Sequence, residues 1–208
     1  MKVRPISREA LVGLLVDRLA DAEPGAWVRV AWDGPPVAGH AELADRVVAG
    51  LRARGREALH VRTADFLRPA SLRYELGRAN PDAYYEGWYD LGALRREVLD
   101  PLDAHGTGRV LPTFWDPSAD RATRAGYVVL PRGGVLLLSG DLLLGAGLPF
   151  ELEVHFDLSA AALARRMPPE LAWTLPAYAR YAEEVNPARL AEIVVRVNDP
   201  AHPALMRA

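Results

Sequence analysis

Hydrophobic positions along the chain fall into two alternating patterns. Apolar residues at helical spacing predict helices over 8–21, 41–55, 91–102 and 159–166 and within 176–191. Short, continuously apolar runs predict strands at 27–31, 57–66, 127–131, 134–140, 150–158 and 192–197. Buried strands that alternate with helices are typical of a parallel sheet covered by helices on both faces. The pattern therefore predicts an α/β fold with three layers.

Polar side chains stand where several predicted strands end. In open α/β sheets, ligands bind beyond the carboxyl ends of the strands. The polar residues at those ends are Asp33, Asp65, Ser139, Asp141 and Asp157. We therefore expect a functional site at this edge of the sheet. His155 alternates with apolar neighbours inside a predicted strand, so we expect it to serve packing or to lie at the surface.

Composition narrows the functional classes. The 208 residues predict a single domain spanning 1–208, and the net charge of −2 gives no electrostatic reason to expect nucleic acid or a membrane as partner. The absence of cysteine excludes thiolate catalysis and cysteine-ligated zinc. Neither a signal peptide nor an apolar run of ~18 residues is visible, so we expect a cytoplasmic protein. Lys2 is the only lysine, so a role that requires a lysine elsewhere is vacant.

The stretch WDGPPVAGHAELADRV, residues 32–47, has the layout of a phosphate-binding loop between a strand and a helix. The P-loop pattern is G-x-x-x-x-G-K-[ST], and Gly34 and Gly39 have its spacing. His40 stands at the lysine position, and Ala41 stands at the position of the hydroxyl that binds magnesium. The motif therefore predicts a degenerate cofactor-binding loop formed by Gly34, Gly39 and His40.

Longer runs resemble the uridine kinase family of P-loop nucleoside kinases. They are DGPPVAGHAELADRVVAGLRARGREALHVRTADFLRP, GRANPDAYYEGWYDLGALRREVLDPL, GGVLLLSG and VVRVNDPAHP, which together cover most of the chain. The resemblance implies a P-loop kinase-like sandwich with about five parallel strands, helices on both faces and a small lid at about 160–180. It also implies transfer of a nucleotide γ-phosphate to a nucleoside hydroxyl.

Several positions depart from what that transfer requires, namely backbone donors, a cation, a magnesium ligand and a base. Pro35 and Pro36 remove two N–H donors from the loop. Where the family carries an acidic residue after the second strand, this chain has Ala64, with Asp65 one place along. Ser139 stands where the family often has an acidic residue. We therefore expect no bound metal or cofactor, and only weak binding of ATP and magnesium.

The family's residues that bind the acceptor nucleoside are matched more closely in this chain. Asp82 matches an aspartate that contacts ribose, Trp115 matches an aromatic that packs on the base, and Asp120 matches a polar base contact. Arg165 and Arg166 match part of the arginine-rich lid. Tyr84, in the adjacent aromatic run, is a further candidate for stacking. These six residues are the predicted substrate-binding set.

Three hypotheses follow. The first is a uridine kinase-like protein that has lost ATP-dependent and magnesium-dependent phosphoryl transfer and binds a nucleoside-like or other small ligand in the acceptor cleft. The second is an enzyme of another class in the same cleft, such as a tailoring enzyme of specialised metabolism, with His40, Asp33, Asp65 and Asp82 as exposed acid–base residues. The third, an active kinase with an atypical loop, is disfavoured, because removing even one electrostatic donor commonly costs about 10²–10³ in rate. The residues leave the ligand and the oligomeric state open.

Overall fold

The computed structural model describes residues 2–23 and 25–207. The strands are β1 (Lys2–Pro5), β2 (Val28–Asp33), β3 (Ala58–Arg62), β4 (Arg109–Val110), β5 (Trp115–Asp116), β6 (Arg121–Ala122), β7 (Val128–Val129), β8 (Val135–Gly140), β9 (Leu152–Asp157), β10 (Ile193–Arg196) and β11 (Ala204–Arg207). The helices are α1 (Arg8–Ala20), α2 (His40–Ala53), α3 (Ala70–Arg73), α4 (Pro81–Gly87), α5 (Leu91–Leu94), α6 (Ala160–Arg166), α7 (Leu175–Glu184) and α8 (Pro187–Leu190).

A seven-stranded sheet forms the centre, in the order β1-β11-β10-β9-β2-β8-β3. The five strands from β10 to β3 run parallel, which confirms the predicted fold class. Strands β1 and β11 add an antiparallel edge beside β10, and the sequence did not predict them. Each has only four residues, and Pro5 ends β1, so neither offers enough alternation to be recognised.

The predicted helices form with shifted ends. The segment predicted at 91–102 is helical throughout, but α5 passes into a π-helical turn at Arg95–Leu99 and then a 3₁₀ turn at Asp100–Leu102. The segment predicted within 176–191 divides into α7 and α8, because Asn186 between them adopts a left-handed conformation with φ of 52°. No helix in the described ranges is long and apolar enough to span a bilayer.

Two of the predicted strands are shorter than expected. The strand predicted at 57–66 ends at Arg62, because Thr63–Phe66 turns into a 3₁₀ helix. The strand predicted at 127–131 is reduced to Val128–Val129, which pairs with β4 outside the main sheet. Continuous apolar character therefore identified the central strands better than the peripheral ones.

Apolar side chains pack on both faces of the sheet. Trp32, Leu137 and Phe156 belong to the core between one face and α1 and α2. Leu136 and Leu138 point the other way and join the core beneath α5. Successive residues of a strand point to opposite faces, so a strand buried on both sides must be apolar throughout. This explains the uninterrupted run in β8.

A close contact fixes the start of the loop between β2 and α2. A Cβ atom added at Gly34 would lie 2.8 Å from Cβ and 3.0 Å from the carbonyl oxygen of Phe156 on β9. Gly34 also donates its N–H to the Gly140 carbonyl at the end of β8, at 2.9 Å. The first glycine of the motif is therefore required by strand packing, whether or not a phosphate binds.

We expect Gly34→Ala to lower the free energy of unfolding by about 1–3 kcal/mol, because the methyl group overlaps Phe156. The matched control is Gly13→Ala in α1, where an added Cβ meets nothing within 4 Å. That substitution should stabilise the protein by about 1 kcal/mol through helix propensity. Urea denaturation of both variants tests the contact, and equal effects would contradict it.

Candidate functional site

The loop that follows β2 bonds several of its N–H groups to its own carbonyls. Ala38 donates to the Pro35 carbonyl at 2.8 Å, and Gly39 donates to the Pro36 carbonyl at 3.1 Å. Pro35 and Pro36 have no N–H to offer. Gly39 has a φ of 68°, which allows the short 3₁₀ turn to pass directly into α2. The N–H groups of residues 38 and 39 are therefore engaged by carbonyl oxygens of the loop itself.

Two arginines contact the carbonyl oxygens of this loop. Arg166 of α6 donates from Nη2 to the Val37 carbonyl and from Nη1 to the Val197 carbonyl, the latter at 2.7 Å. Arg8 lies with Nη2 at 3.4 Å from the Gly39 carbonyl. Arg166, a predicted lid residue, is thereby engaged by backbone acceptors on both sides of its guanidinium. Both cations therefore contact carbonyl oxygens of the loop.

His40 begins α2, but its side chain is buried. Its ring stacks on Phe156 with the centroids 5.5 Å apart, and Nδ1 has no hydrogen-bond partner among the described residues. Burial lowers the pKa of His40 to about 4, although the charge of Asp33 acts in the opposite direction. The imidazole is therefore neutral at pH 7. It supplies no positive charge at the position of the P-loop lysine.

Asp33 lies at the carboxyl end of β2 and is completely buried. Its Oδ1 accepts a hydrogen bond from the Leu143 N–H at 2.9 Å. Its Oδ2 accepts hydrogen bonds from the Tyr181 hydroxyl at 3.1 Å and from Nδ1 of His155 at 2.6 Å. An ionised carboxylate only accepts, so Nδ1 of His155 carries the proton. In the neutral ring, Nε2 is then an acceptor.

The sequence predicted only one member of the Asp33–His155 pair as functional. Asp33 was a candidate catalytic residue, whereas His155 was expected to serve packing or to lie at the surface. The two side chains lie on neighbouring strands, where the parallel register makes them direct partners. A buried aspartate at a strand end requires a donor from an adjacent strand, and this requirement is the signal that could have identified His155.

Asp141 is a second buried carboxylate, immediately after β8. The hydroxyl groups of Tyr84, Tyr89 and Tyr178 all donate to it, the first two at 2.5 Å. Burial raises the pKa of Asp141, while the tyrosine hydrogen bonds act to lower it. Tyr84 was predicted to contact substrate, but its hydroxyl is used inside the protein.

A cavity of about 500 Å³ lies beside these carboxylates, and we call it the α6–α7 cavity. It is bounded by the start of the β2–α2 loop, the end of β9 and the helices α6, α7 and α8. Its larger apolar side chains are Leu142, Phe156, Leu158, Leu163, Leu175 and Pro176. One side of the lining carries Asp141 with its donor Tyr178, and His155 and Tyr181, which both donate to Asp33; we call this side the polar face. Asp157 and Asn186 also line the cavity, and the rest of its walls are mostly apolar.

Aromatic side chains fill the interface between α4 and the helices of residues 160–184. The ring centroids of Tyr84 and Trp88 are 5.2 Å apart, and each ring lies 5.5 Å from Trp173. On the outside of this cluster, Asp82 pairs with Arg180 of α7 at 3.3 Å. Tyr84 therefore lies in a packed helix interface, whereas the Asp82 side chain is 68% exposed, and neither residue lines the α6–α7 cavity. Arg165 is exposed on α6.

The remaining predicted residues lie near a separate cavity of about 320 Å³. Asp65 and Trp115 both line it, together with Asp116 and Arg121. Burial raises the pKa of Asp65. Asp120 accepts hydrogen bonds from Nε1 of Trp115 at 3.1 Å and from the Ala70 N–H at 2.9 Å, which fix the local turn. The structure therefore brings Asp65 and Trp115 together, but away from the Asp33–His155 pair.

The side chains of Asp45, His60 and Ser139 form a chain of hydrogen bonds from carboxylate to imidazole to hydroxyl, as in a catalytic triad. Nδ1 of His60 lies 2.6 Å from Oδ1 of Asp45, and Nε2 lies 2.7 Å from Oγ of Ser139. Ser139 is only 3% exposed, and it lines neither cavity described above. A nucleophile must be reached by its substrate, so this geometry does not support catalysis. The hydrogen bonds connect α2 to β3 and β8.

Metal-binding chemistry has little support in the described part of the chain. Within it, no group of three or more histidine, aspartate or glutamate side chains is arranged to hold a metal ion. Ala41, at the P-loop position that normally contributes a magnesium ligand, has no oxygen in its side chain. The residues at the loop therefore do not fit a magnesium–triphosphate complex.

Comparisons with known proteins identify solved structures with a similar fold. No family model matches the chain, and no curated protein matches it in sequence. Among solved structures, a possible uridine kinase from Bacillus stearothermophilus is similar with a TM-score of 0.70 at 18% identity, covering 88% of this chain and 96% of that one. A candidate fructose transport system kinase from Silicibacter sp. TM1040 is similar with a TM-score of 0.63 at 22% identity, covering 86% and 95%.

The burial of His40 predicts a dependence of stability on pH. The unfolded chain binds a proton at His40 below pH 6.5, whereas the folded chain does so only below about 4. Stability is therefore fully present above pH 6.5 and falls as the pH is lowered toward 4. At pH 5 the loss attributable to His40 is about 2 kcal/mol.

His40→Phe should remove this part of the pH dependence, since it keeps the ring packing and has no titratable group. The matched control is His202→Phe, because the His202 side chain is 81% exposed. Urea denaturation at pH 7.5 and pH 5 measures both variants against the native chain. An unchanged pH dependence in His40→Phe would refute the burial argument.

Proposed function

Because the chain has a P-loop kinase-like fold, we propose that it is a kinase relative without magnesium-dependent and ATP-dependent phosphoryl transfer, which binds a small molecule in the α6–α7 cavity. The observation that carries this proposal is the inward hydrogen bonding of the β2–α2 loop. A phosphate cradle needs several outward N–H groups in succession. Ala38 and Gly39 use theirs inside the turn, and two neighbouring positions are prolines.

The charges near the loop support the same proposal. A neutral, buried His40 cannot balance the β- and γ-phosphates, and Arg166 already donates to two carbonyls. Removing one electrostatic donor from a transition state costs about 3–4 kcal/mol, so losing the cation and the magnesium ligand together would abolish most of the catalysis. The residues do not fit bound magnesium ATP, and we derive no reaction step through it.

The α6–α7 cavity has the size and the lining expected of a ligand site. Small-molecule sites are concave, typically about 300–1,000 Å³, and are mostly apolar with a few placed polar groups. Tyr84, one of the predicted acceptor residues, packs against Trp88 and Trp173. A nucleoside-like ligand stacked on Tyr84 would have to displace this packing, whereas the neighbouring cavity is already formed.

A second candidate function is acid–base catalysis in the same cavity. It is favoured by one observation, the hydrogen bond from Nδ1 of His155 to Asp33, which resembles the pairing that orients a general base. An enzyme would convert the molecule bound in the cavity, whereas a binding protein would release it unchanged. Analysis of the recovered molecule before and after incubation with excess protein distinguishes the two.

Calorimetry with ATP and Mg²⁺ is expected to give no detectable binding at micromolar concentrations, because the loop has two prolines, two N–H groups bonded to its own carbonyls, and neither a lysine nor a hydroxyl at the P-loop positions. Magnesium-dependent micromolar binding with turnover would refute the proposal. Mass spectrometry of the purified protein is expected to detect a copurifying small molecule.

Ala164→Trp should abolish that copurification, because Ala164 lines the exposed side of the cavity. Ala161→Trp is the matched control, since Ala161 is an exposed residue of the same helix that does not line the cavity. Equal recovery of the small molecule from both variants would place it elsewhere. Thermal melting verifies that both variants are folded.

A further inference from the structure

We propose that the α6–α7 cavity selects a largely apolar, uncharged molecule with a hydroxyl group, and that this hydroxyl donates a hydrogen bond to Nε2 of His155. The inference rests on the proposed function and deepens it by naming the ligand class. It is carried by the hydrogen-bonding state of the polar face, which the distances and burial determine.

His155 presents an acceptor to the cavity. Its Nδ1 donates to Asp33 at 2.6 Å, so in the neutral tautomer with this hydrogen bond Nε2 is the acceptor. Nε2 has no hydrogen-bond partner among the described residues, and His155 lines the cavity. A ligand that fills the cavity removes water from this acceptor, so the most favourable occupant brings a donor to it.

The two tyrosines of the polar face have already used their hydroxyl protons. Tyr181 donates to Asp33 and accepts from the Leu144 N–H at 2.9 Å. Tyr178 donates to Asp141. The side chains of this face therefore offer lone pairs and no free proton. Ligand groups that only accept, such as ethers, carboxylates and phosphates, would meet other acceptors there.

The charges around the cavity exclude anions as well. Its lining contains no lysine or arginine among the described residues, whereas Asp33 and Asp141 lie buried beside it. A phosphate would have to enter a site of low dielectric next to these two carboxylates without a counter-charge. This distinguishes the cavity from the anion site of an active kinase.

Cations are not favoured either, because the carboxylates already have partners. Asp33 receives three hydrogen bonds, and Asp141 receives three from tyrosines. Asp157, the other acidic residue in the lining, pairs with Arg196 at 2.8 Å. An ammonium group would therefore lose its hydration without gaining a free carboxylate. An uncharged hydroxyl is the donor that fits.

A series of naphthalene derivatives tests the head group on the native chain. The probes are naphthalene, 2-naphthol, 2-methoxynaphthalene, 2-naphthyl phosphate and 2-naphthylmethylamine, and the measurement is a fluorescence titration at pH 7.5. We expect 2-naphthol to bind at least tenfold more tightly than naphthalene or its methyl ether, and we expect the phosphate and the amine to bind more weakly than 2-naphthol. Equal binding of 2-naphthol and the ether, tighter binding of either charged probe, or no binding of any probe would overturn the inference.

His155→Leu should remove the preference for 2-naphthol over the ether while leaving naphthalene bound. The control is His202→Leu, which changes an exposed histidine and should preserve the preference. A preference that persists in a folded His155→Leu chain would assign the hydroxyl to another acceptor and refute the inference. If His155→Leu fails to fold, the comparison of 2-naphthol with its ether on the native chain still decides the outcome.

The two proposals fail in different ways. Binding and turnover of magnesium ATP would refute the proposed function whatever the naphthalene series gives. Copurification that Ala164→Trp abolishes, together with equal binding of 2-naphthol and its ether, would leave the cavity as the ligand site and refute only its preference for a hydroxyl.

Discussion

The buried carboxylate of Asp33 is the constraint on which the site depends. Its three donors come from three separate parts of the fold: His155 on β9, Tyr181 on α7 and the Leu143 N–H after β8. An unpaired buried charge costs several kcal/mol, so these parts cannot separate without a large loss of stability. Asp141 applies the same constraint to α4 and α7 through Tyr84 and Tyr178. The two carboxylates together define the polar face of the α6–α7 cavity.

The two glycines of the β2–α2 loop have structural roles that do not depend on a ligand. Gly34 allows β2 to approach Phe156, and Gly39 itself adopts the left-handed conformation that precedes α2. Both requirements belong to the fold. The spacing of the two glycines therefore predicts the backbone path, but it does not predict phosphate binding. What distinguishes this loop is the set of donors around it, where Ala38 bonds inward and His40 is buried and neutral.

The sequence predicted the central layers of the fold well, because continuous apolar runs and helical spacing are local signals. It failed at β1 and β11, whose pairing depends on residues about 200 positions apart. The candidate site was harder to predict from the sequence for the same reason. Asp33 was identified from its place at a strand end, but His155 pairs with it across the strand register, and no local pattern distinguishes this histidine from a packing residue. Asp82 was assigned by resemblance, and its partner Arg180 lies on a helix that the resemblance does not describe.

Helix α7 contributes a hydroxyl to each buried carboxylate, Tyr178 to Asp141 and Tyr181 to Asp33. Swinging this helix outward, as a hinged cover would, breaks both hydrogen bonds at once and leaves each buried carboxylate with two of its three donors. The exposed residues Ala164, Ala179 and Ala182 line the cavity with small side chains. A molecule that passes beside them can enter or leave without that motion of α7, so we expect the size of these three side chains to limit which molecules exchange.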